Sequence, residues 1–125
     1  VYYLMGEEPY YIDRLADYIA ENVLTEEERG FNQMVIYGQD TDIGSIVSAA
    51  KRYPMMAEHQ VIIVKEAQNV KKWEALAMYM ENPQPSTILV FCYKWYVRLK
   101  GQLVLYQNHI LSYSKILLQI FVDFP

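Results

Sequence analysis

Cysteine, histidine and long apolar runs are all scarce in this chain. Cys92 is the single cysteine among 125 residues, so no disulfide can form within the chain, and its place in the apolar run 88–92 predicts a buried small side chain rather than a catalytic thiol. Neither His59 nor His109 has a partner at a spacing typical of a general base. No apolar run approaches the roughly 20 residues of a membrane span, and no secretory leader is visible, so we expect neither.

Positive charge is also in short supply. The chain holds 15 acidic and 11 basic residues, which gives a formal net charge of −4. Residues 1–94 contain 14 acidic and 8 basic residues, whereas residues 95–125 contain one acidic and three basic residues. An acidic body argues against direct binding to a phosphate backbone, because proteins neutralise phosphates with lysine and arginine. The apolar content of 53% indicates one soluble globular domain with a core of its own, and the change of composition near Trp95 indicates that something different begins there.

The apolar pattern predicts alternating strands and helices. Runs of β-forming residues lie at 1–5, 34–37, 61–64 and 88–93, and helical spacing of apolar residues lies between them, at 12–23, 43–50 and 71–81. Asp40, Thr41 and Asp42 supply oxygens that can cap the second helix, while the charged run 25–30 indicates a solvated connection. The four consecutive β-formers at 61–64 are typical of a parallel strand buried on both faces. We therefore predict an α/β fold with a three-layer αβα arrangement and a parallel sheet.

In such a sheet, ligands bind at the carboxyl ends of the strands. The residues expected there are Gly6, Glu7 and Glu8 after the first strand, and Lys65 and Glu66 after the third. A phosphate-binding loop needs several glycines, a lysine and a serine or threonine, whereas residues 6–11 supply one glycine and two carboxylates that repel phosphate. An ATPase would also place an aspartate for magnesium where Lys65 stands. The sequence thus predicts a nucleotide-binding topology with a degenerate site, and we expect no cofactor and no metal.

Two alternatives use the same edge of the sheet. Glu7 and Glu8, with Lys94 after the fourth strand, are similar to the acidic pair and the lysine of a phospho-receiver domain. That fold needs an aspartate acceptor at the end of the third strand, where this chain has Lys65. A nucleotide-binding signalling domain is disfavoured by the same missing residues.

Two adjacent methionines, Met55 and Met56, follow Pro54 and precede the third strand. Neighbouring residues on regular structure point in different directions, so one core does not easily bury both. Methionine is flexible and polarizable, which suits a side chain that enters an apolar pocket of a partner. The alternative is that both methionines are ordinary core or edge residues.

Taken together, these segments resemble the N-terminal domain of the bacterial DNA polymerase III delta subunit, the clamp-opening subunit of the sliding-clamp loader. The resemblance covers residues 1–94 and rests on the order and spacing of Val1-Tyr2-Tyr3-Leu4-Met5-Gly6-Glu7-Glu8, Phe31-Asn32, Tyr37-Gly38 with Asp40-Thr41-Asp42, residues 52–68, and Asn82-Pro83 with Ser86-Thr87-Ile88-Leu89-Val90. It implies a fold of the AAA+ / P-loop NTPase type that has lost nucleotide binding, in agreement with the degenerate site inferred above.

The resemblance implies a protein-binding function and no intrinsic enzyme activity. In the family, two apolar residues at the start of a short helix before the third strand insert into a hydrophobic pocket of the ring-shaped clamp, and Met55 and Met56 match them. Tyr53, Pro54 and His59 would flank the contact. The implied partners are the sliding clamp (the beta subunit) and, in the full-length protein, the motor and delta-prime subunits. ATP would be used by the motor subunits. The resemblance implies only an indirect interaction with DNA. It also implies that the protein acts at the replisome in the bacterial cytoplasm.

Residues 95–125 do not follow the family pattern, and we expect them to form an atypical tail after an incomplete AAA+-like domain at 1–94. Residues 94–98 can be encoded by codons that give Asn-Gly-Thr-Leu when the reading frame is moved by one base. That sequence is close to what the family has at this place. We therefore hypothesise that a shift of reading frame produced the tail. Its apolar runs 103–106 and 116–122 can still form a strand or cover an exposed apolar edge. The chain is too short for the helical and collar domains of the family.

Overall fold

A five-stranded parallel sheet forms the centre of the computed structural model, which describes residues 1–6, 9–94 and 118–121. The strands are β1 (Tyr2–Gly6), β2 (Gln33–Tyr37), β3 (Gln60–Lys65), β4 (Thr87–Lys94) and β5 (Leu118–Phe121). Their order across the sheet is β2-β3-β4-β1-β5, and every neighbouring pair is parallel. The predicted parallel sheet and its first four strands are confirmed. The fifth strand lies inside the apolar run 116–122, whereas the run 103–106 lies outside the described residues.

Helices connect the strands and cover both faces of the sheet. They are α1 (Pro9–Asn22), α2 (Glu26–Asn32), α3 (Ile43–Ala50) and α4 (Leu76–Glu81), with 3₁₀ turns at Gly38–Asp40, Ala67–Asn69 and Trp73–Ala75. Asp42 caps α3 as predicted, since its carboxylate accepts a hydrogen bond of 2.9 Å from the Ser45 amide. The helix predicted at 71–81 begins later than expected, because Lys72 adopts a left-handed backbone with φ of 63° and a 3₁₀ turn precedes α4.

The charged run 25–30 is largely exposed to solvent, as expected, but it forms a helix and not an irregular connection, and that part of the prediction is wrong. It starts α2, where Thr25 and Glu28 form a reciprocal capping box: the Glu28 amide donates to the Thr25 hydroxyl, and the Thr25 amide donates to the Glu28 carboxylate. Such a pair satisfies two of the amides that a helix start leaves without partners. Three glutamates in the first turn also suit the positive end of the helix dipole.

The core consists of two apolar layers, one on each face of the sheet. Alternate residues of β3 enter different layers, with Val61 and Ile63 on the α1 side and Ile62 and Val64 on the side of α3 and α4. All four are at most 2% exposed, which confirms a strand buried on both faces. Cys92 is buried on the α1 side, as predicted. Helices above and below a parallel sheet make the molecule a three-layer α/β protein.

Candidate partner-binding site

The two methionines that the sequence singled out are on the surface. Met56 is 97% exposed, Met55 is 59% exposed and Tyr53 is 81% exposed. This exposure excludes burial of both methionines in the core, but it does not contradict the other half of that alternative, an ordinary position at the edge of the sheet. They lie in the segment 53–59 between α3 and β3, which we call the methionine loop, and Pro54 is half-buried within it. Because the loop directly precedes β3, it lies at the edge of the sheet where the strands begin.

The methionine loop has a defined but irregular backbone. Residues 53–59 form a series of bends rather than the short helix that the resemblance implied. Met56 adopts a left-handed conformation with φ of 56°. Residues with a Cβ atom enter this region at an energetic cost, since the Cβ atom then crowds the neighbouring carbonyl oxygen. The loop thus holds a large apolar side chain in water on a backbone that methionine does not favour by itself.

One side chain from another element holds this loop. Asn32, at the end of α2, is only 4% exposed. Its Oδ1 accepts a hydrogen bond of 2.6 Å from the Met55 amide, and its Nδ2 donates to the Met55 carbonyl at 2.8 Å. The same Nδ2 donates to the Glu28 carbonyl at 3.1 Å, within α2. Both amide protons of Asn32 and its oxygen are therefore in use, and one carboxamide pairs with both backbone groups of Met55.

A second polar side chain, the half-buried Gln60, fixes the residues just before the loop. The Nε2 atom of Gln60 lies 2.8 Å from the Arg52 carbonyl and 2.8 Å from the Thr87 hydroxyl. That hydroxyl donates to the Ala50 carbonyl at 2.6 Å. The carbonyls at the end of a helix have no partners within the helix, and these side chains supply them. The methionine loop therefore begins at a helix end that is tied to the first residues of β3 and β4.

The exposed apolar side chains around the loop extend beyond the predicted site. Phe31, at the end of α2, is 78% exposed and lines a groove of about 200 Å³ together with Tyr53 and Met55. On the other side of the loop, Met56 and His59 line a second, more open groove. The predicted residues therefore lie on two sides of the same loop, with Tyr53 and Met55 beside Phe31 and with Met56 beside His59. The pair Phe31-Asn32 contributed to the family resemblance, but nothing in the sequence assigned either residue a role.

The described residues that we predicted for a degenerate nucleotide site lie at the opposite edge of the sheet, where the strands end. Gly6 ends β1 and is paired with Lys94 at the end of β4, and Lys65 ends β3 at the same edge of the sheet, with β4 between β3 and β1. The Lys65 ammonium lies 3.9 Å from the Asp17 carboxylate of α1, and Glu66 accepts a hydrogen bond from Gln68. Glu7 and Glu8 lie outside the described residues.

Neither a metal site nor a membrane-spanning helix is found among the described residues. Among residues 1–6, 9–94 and 118–121, no group of three or more His, Cys, Asp or Glu side chains could hold a metal ion. No helix formed by these residues is long and apolar enough to cross a membrane. The exposed apolar surface around the methionine loop is therefore the main candidate site in the described structure.

Comparisons with known proteins point in one direction. The family model described as "DNA polymerase III, delta subunit" matches residues 2–107, and so extends past the boundary at residue 94 that we expected. The DNA polymerase III subunit delta of Bacillus subtilis (strain 168) is 29% identical over 100 residues, which cover 72% of this chain and 29% of that relative. A solved structure of the Bacillus subtilis DNA clamp loader delta protein matches with a TM-score of 0.65 at 23% identity and covers 86% of this chain and 35% of that one. The structural likeness concerns the fold, and the chain spans less than a third of the curated relative.

Proposed function

The chain belongs to the DNA polymerase III delta subunit family, and on that premise we propose that it binds a DNA polymerase sliding clamp and helps to open it during replication. The observation that carries this proposal is the methionine loop, where Met56 is 97% exposed beside Met55. These positions match the two apolar residues that the family inserts into the clamp. Large exposed apolar side chains that share one surface are typical of a protein-binding site.

Met55 and Met56 are proposed as the inserted pair, with Tyr53, Pro54 and His59 beside them. Burying a methionine side chain that is otherwise in water contributes about 1.5–3 kcal/mol. Two such side chains supply a large part of the free energy of a specific contact, provided that the loop is already ordered and loses little freedom on binding. Phe31 and Tyr53 extend the apolar surface and favour a partner whose pocket is apolar and broader than one side chain.

The proposed mechanism is mechanical rather than catalytic. Binding opens the clamp only as far as the chain prefers the open clamp to the closed one. We propose an AAA+-type fold, which the strand order β2-β3-β4-β1-β5 supports, with a nucleotide site that no longer functions. Lys65 replaces the expected aspartate, and its ion pair with Asp17 supports a structural role for it. Under this proposal, neighbouring motor subunits hydrolyse ATP, delta-prime completes the loader, and the complex acts in the cytoplasm at the replisome.

Binding of this chain to the cognate sliding clamp, measured by surface plasmon resonance, tests the proposal. We expect the double variant Met55→Ala/Met56→Ala to bind at least about thirtyfold more weakly, equivalent to about 2 kcal/mol. Met78→Ala is the matched control, because Met78 is 81% exposed on α4 and belongs to neither groove. Equal affinity of the double variant and the wild type would show that the clamp contact lies elsewhere on the chain and does not involve Met55 and Met56. A folded wild-type chain that does not bind the clamp would contradict the proposed function.

A further inference from the structure

We propose that Asn32 is a positioning residue for the clamp contact, because its carboxamide holds Met55 and so presents the methionine loop in its binding conformation before the partner arrives. This inference rests on the proposed function. Asn32 itself is 4% exposed and lies beneath the surface, so it would act through the loop rather than by touching the clamp.

The geometry of the pair favours this role. Oδ1 and Nδ2 of Asn32 pair with the amide and the carbonyl of the same residue, Met55, at 2.6 and 2.8 Å. Two bonds to one peptide segment fix its orientation as well as its position, much as a neighbouring strand would. Aspartate lacks the donor for the carbonyl, and alanine lacks both groups. Only a carboxamide of this length supplies the donor and the acceptor together at this distance.

The loop needs such a restraint because little else in the described structure stabilises it. Its largest side chains, Tyr53, Met55 and Met56, are mostly in water, so burial of apolar surface contributes little to its order. Met56 also adopts the left-handed backbone with φ of 56°. Without the Asn32 bonds, we expect the segment to relax towards more favourable backbone conformations. Binding would then have to restore the order, and the affinity would fall.

The connection to α2 explains how the restraint is itself held. Asn32 also donates to the Glu28 carbonyl, and Glu28 belongs to the capping box that starts the helix. The Arg29 guanidinium donates to the Leu24 and Glu21 carbonyls, which ties α2 to the end of α1. The carboxamide therefore stands on a short helix whose start is capped and which is tied to the end of α1. From this position it reaches a loop 23 residues further along the chain.

The test compares Asn32→Ala with the wild-type chain in three measurements. We expect clamp affinity to fall at least tenfold and exchange of the Met55 amide hydrogen to become at least tenfold faster. Exchange of the Ile62 amide, in the core strand β3, should keep its wild-type protection and so report an intact fold. Asp42→Ala is the control, because it removes a helix cap at the opposite edge of the sheet and should lower the urea midpoint while leaving clamp affinity unchanged.

A double-mutant cycle with Met56→Ala separates positioning from a general structural role. If Asn32 acts through the loop, Asn32→Ala should weaken clamp binding much less in the Met56→Ala background than in the wild type. A purely structural residue would weaken both backgrounds by the same factor, and that result would overturn the inference. Should Asn32→Ala fail to fold, Asn32→Ser replaces it, because serine stays neutral and is too short to pair with both backbone groups of Met55, and we expect the same loss of affinity.

The outcomes keep the two proposals apart. A wild-type chain that binds the clamp, with an Asn32→Ala variant that binds equally well, overturns the role of Asn32 and leaves the clamp contact standing. A wild-type chain that does not bind overturns the proposed function. Asn32 is then judged by exchange of the Met55 amide alone, and unchanged exchange in Asn32→Ala removes its positioning role as well.

Discussion

Replacing Thr87 by valine tests the polar contacts that fix the start of the methionine loop. Thr87 is 7% exposed, and its hydroxyl donates to the Ala50 carbonyl at 2.6 Å and accepts from Gln60 at 2.8 Å. Valine has nearly the same shape, so the change leaves no cavity and adds one buried methyl, worth about 0.8 kcal/mol in favour of the variant. Against this stand two lost hydrogen bonds of about 1 kcal/mol each and a buried carbonyl that loses its best donor. We expect Thr87→Val to be less stable by about 1–2 kcal/mol.

Urea denaturation followed by far-ultraviolet circular dichroism measures this difference. With a slope of about 2 kcal/mol/M, in the middle of the range for a small domain, the midpoint should fall by roughly 0.5–1 M at an unchanged slope. Thr41→Val is the matched control, because the Thr41 hydroxyl is only part-buried and makes one long contact of 3.3 Å to the neighbouring Asp42 carbonyl. It should change stability by less than about 0.5 kcal/mol. A Thr87→Val variant as stable as the wild type would show that methyl burial outweighs the hydrogen bonds and would refute this reasoning.

The remaining predictions concern Gly38 and Asp42, at the edge of the sheet where the strands end, and Gly30 in the helix α2. A Cβ atom at Gly38 would lie 2.1 Å from the Glu66 carbonyl oxygen, so Gly38→Ala should destabilise the fold by about 3 kcal/mol in the same urea assay. A Cβ atom at Gly30 would have no atom within 4 Å, so Gly30→Ala should stabilise α2 by about 0.5–1 kcal/mol. The Ser45 amide holds the pKa of Asp42 below its ordinary value, so the stability that the carboxylate contributes is present above that value and is lost as pH falls through the lower folded-state pKa. Urea midpoints from pH 6 to pH 2.5 should therefore show a smaller acid-induced loss for Asp42→Asn than for the wild type, and identical pH profiles would exclude this role.

The parallel sheet could be predicted because its strands carry the signal themselves. Continuous runs of β-forming residues mark strands that are buried on both faces, and β3 shows this pattern over all four of its central residues. The order of the strands and the pairing of β1 with β5 depend on contacts between distant segments, which periodicity does not report. The helix α2 could have been predicted from Thr25 and Glu28, since their spacing is that of a capping box. The run of glutamates and Gly30 favoured a solvated connection instead.

In the candidate site, too, some features could be predicted from the sequence and others could not. Adjacent methionines after a proline are visible in the sequence, and their exposure agrees with the prediction that at least one faces a partner. The hydrogen bonds between Asn32 and Met55 could not be predicted, because the two residues are 23 positions apart and meet only when α2 and the loop pack at one edge of the sheet. The left-handed backbone of Met56 was equally hidden, since it follows from the restraints on the loop and not from a local preference of methionine. The contact itself and the division of the chain at residue 94 stay predictions.

The most direct test of the clamp contact is amide hydrogen exchange of this chain with and without the cognate sliding clamp. We expect added protection to be confined to the methionine loop, residues 53–59, and to the end of α2 around Phe31 and Asn32. The opposite edge of the sheet, at residues 38–42 and 65–72, should exchange at the same rate in both samples. Protection at that opposite edge, with none in the methionine loop, would contradict the account and place any clamp contact near the carboxyl ends of the strands.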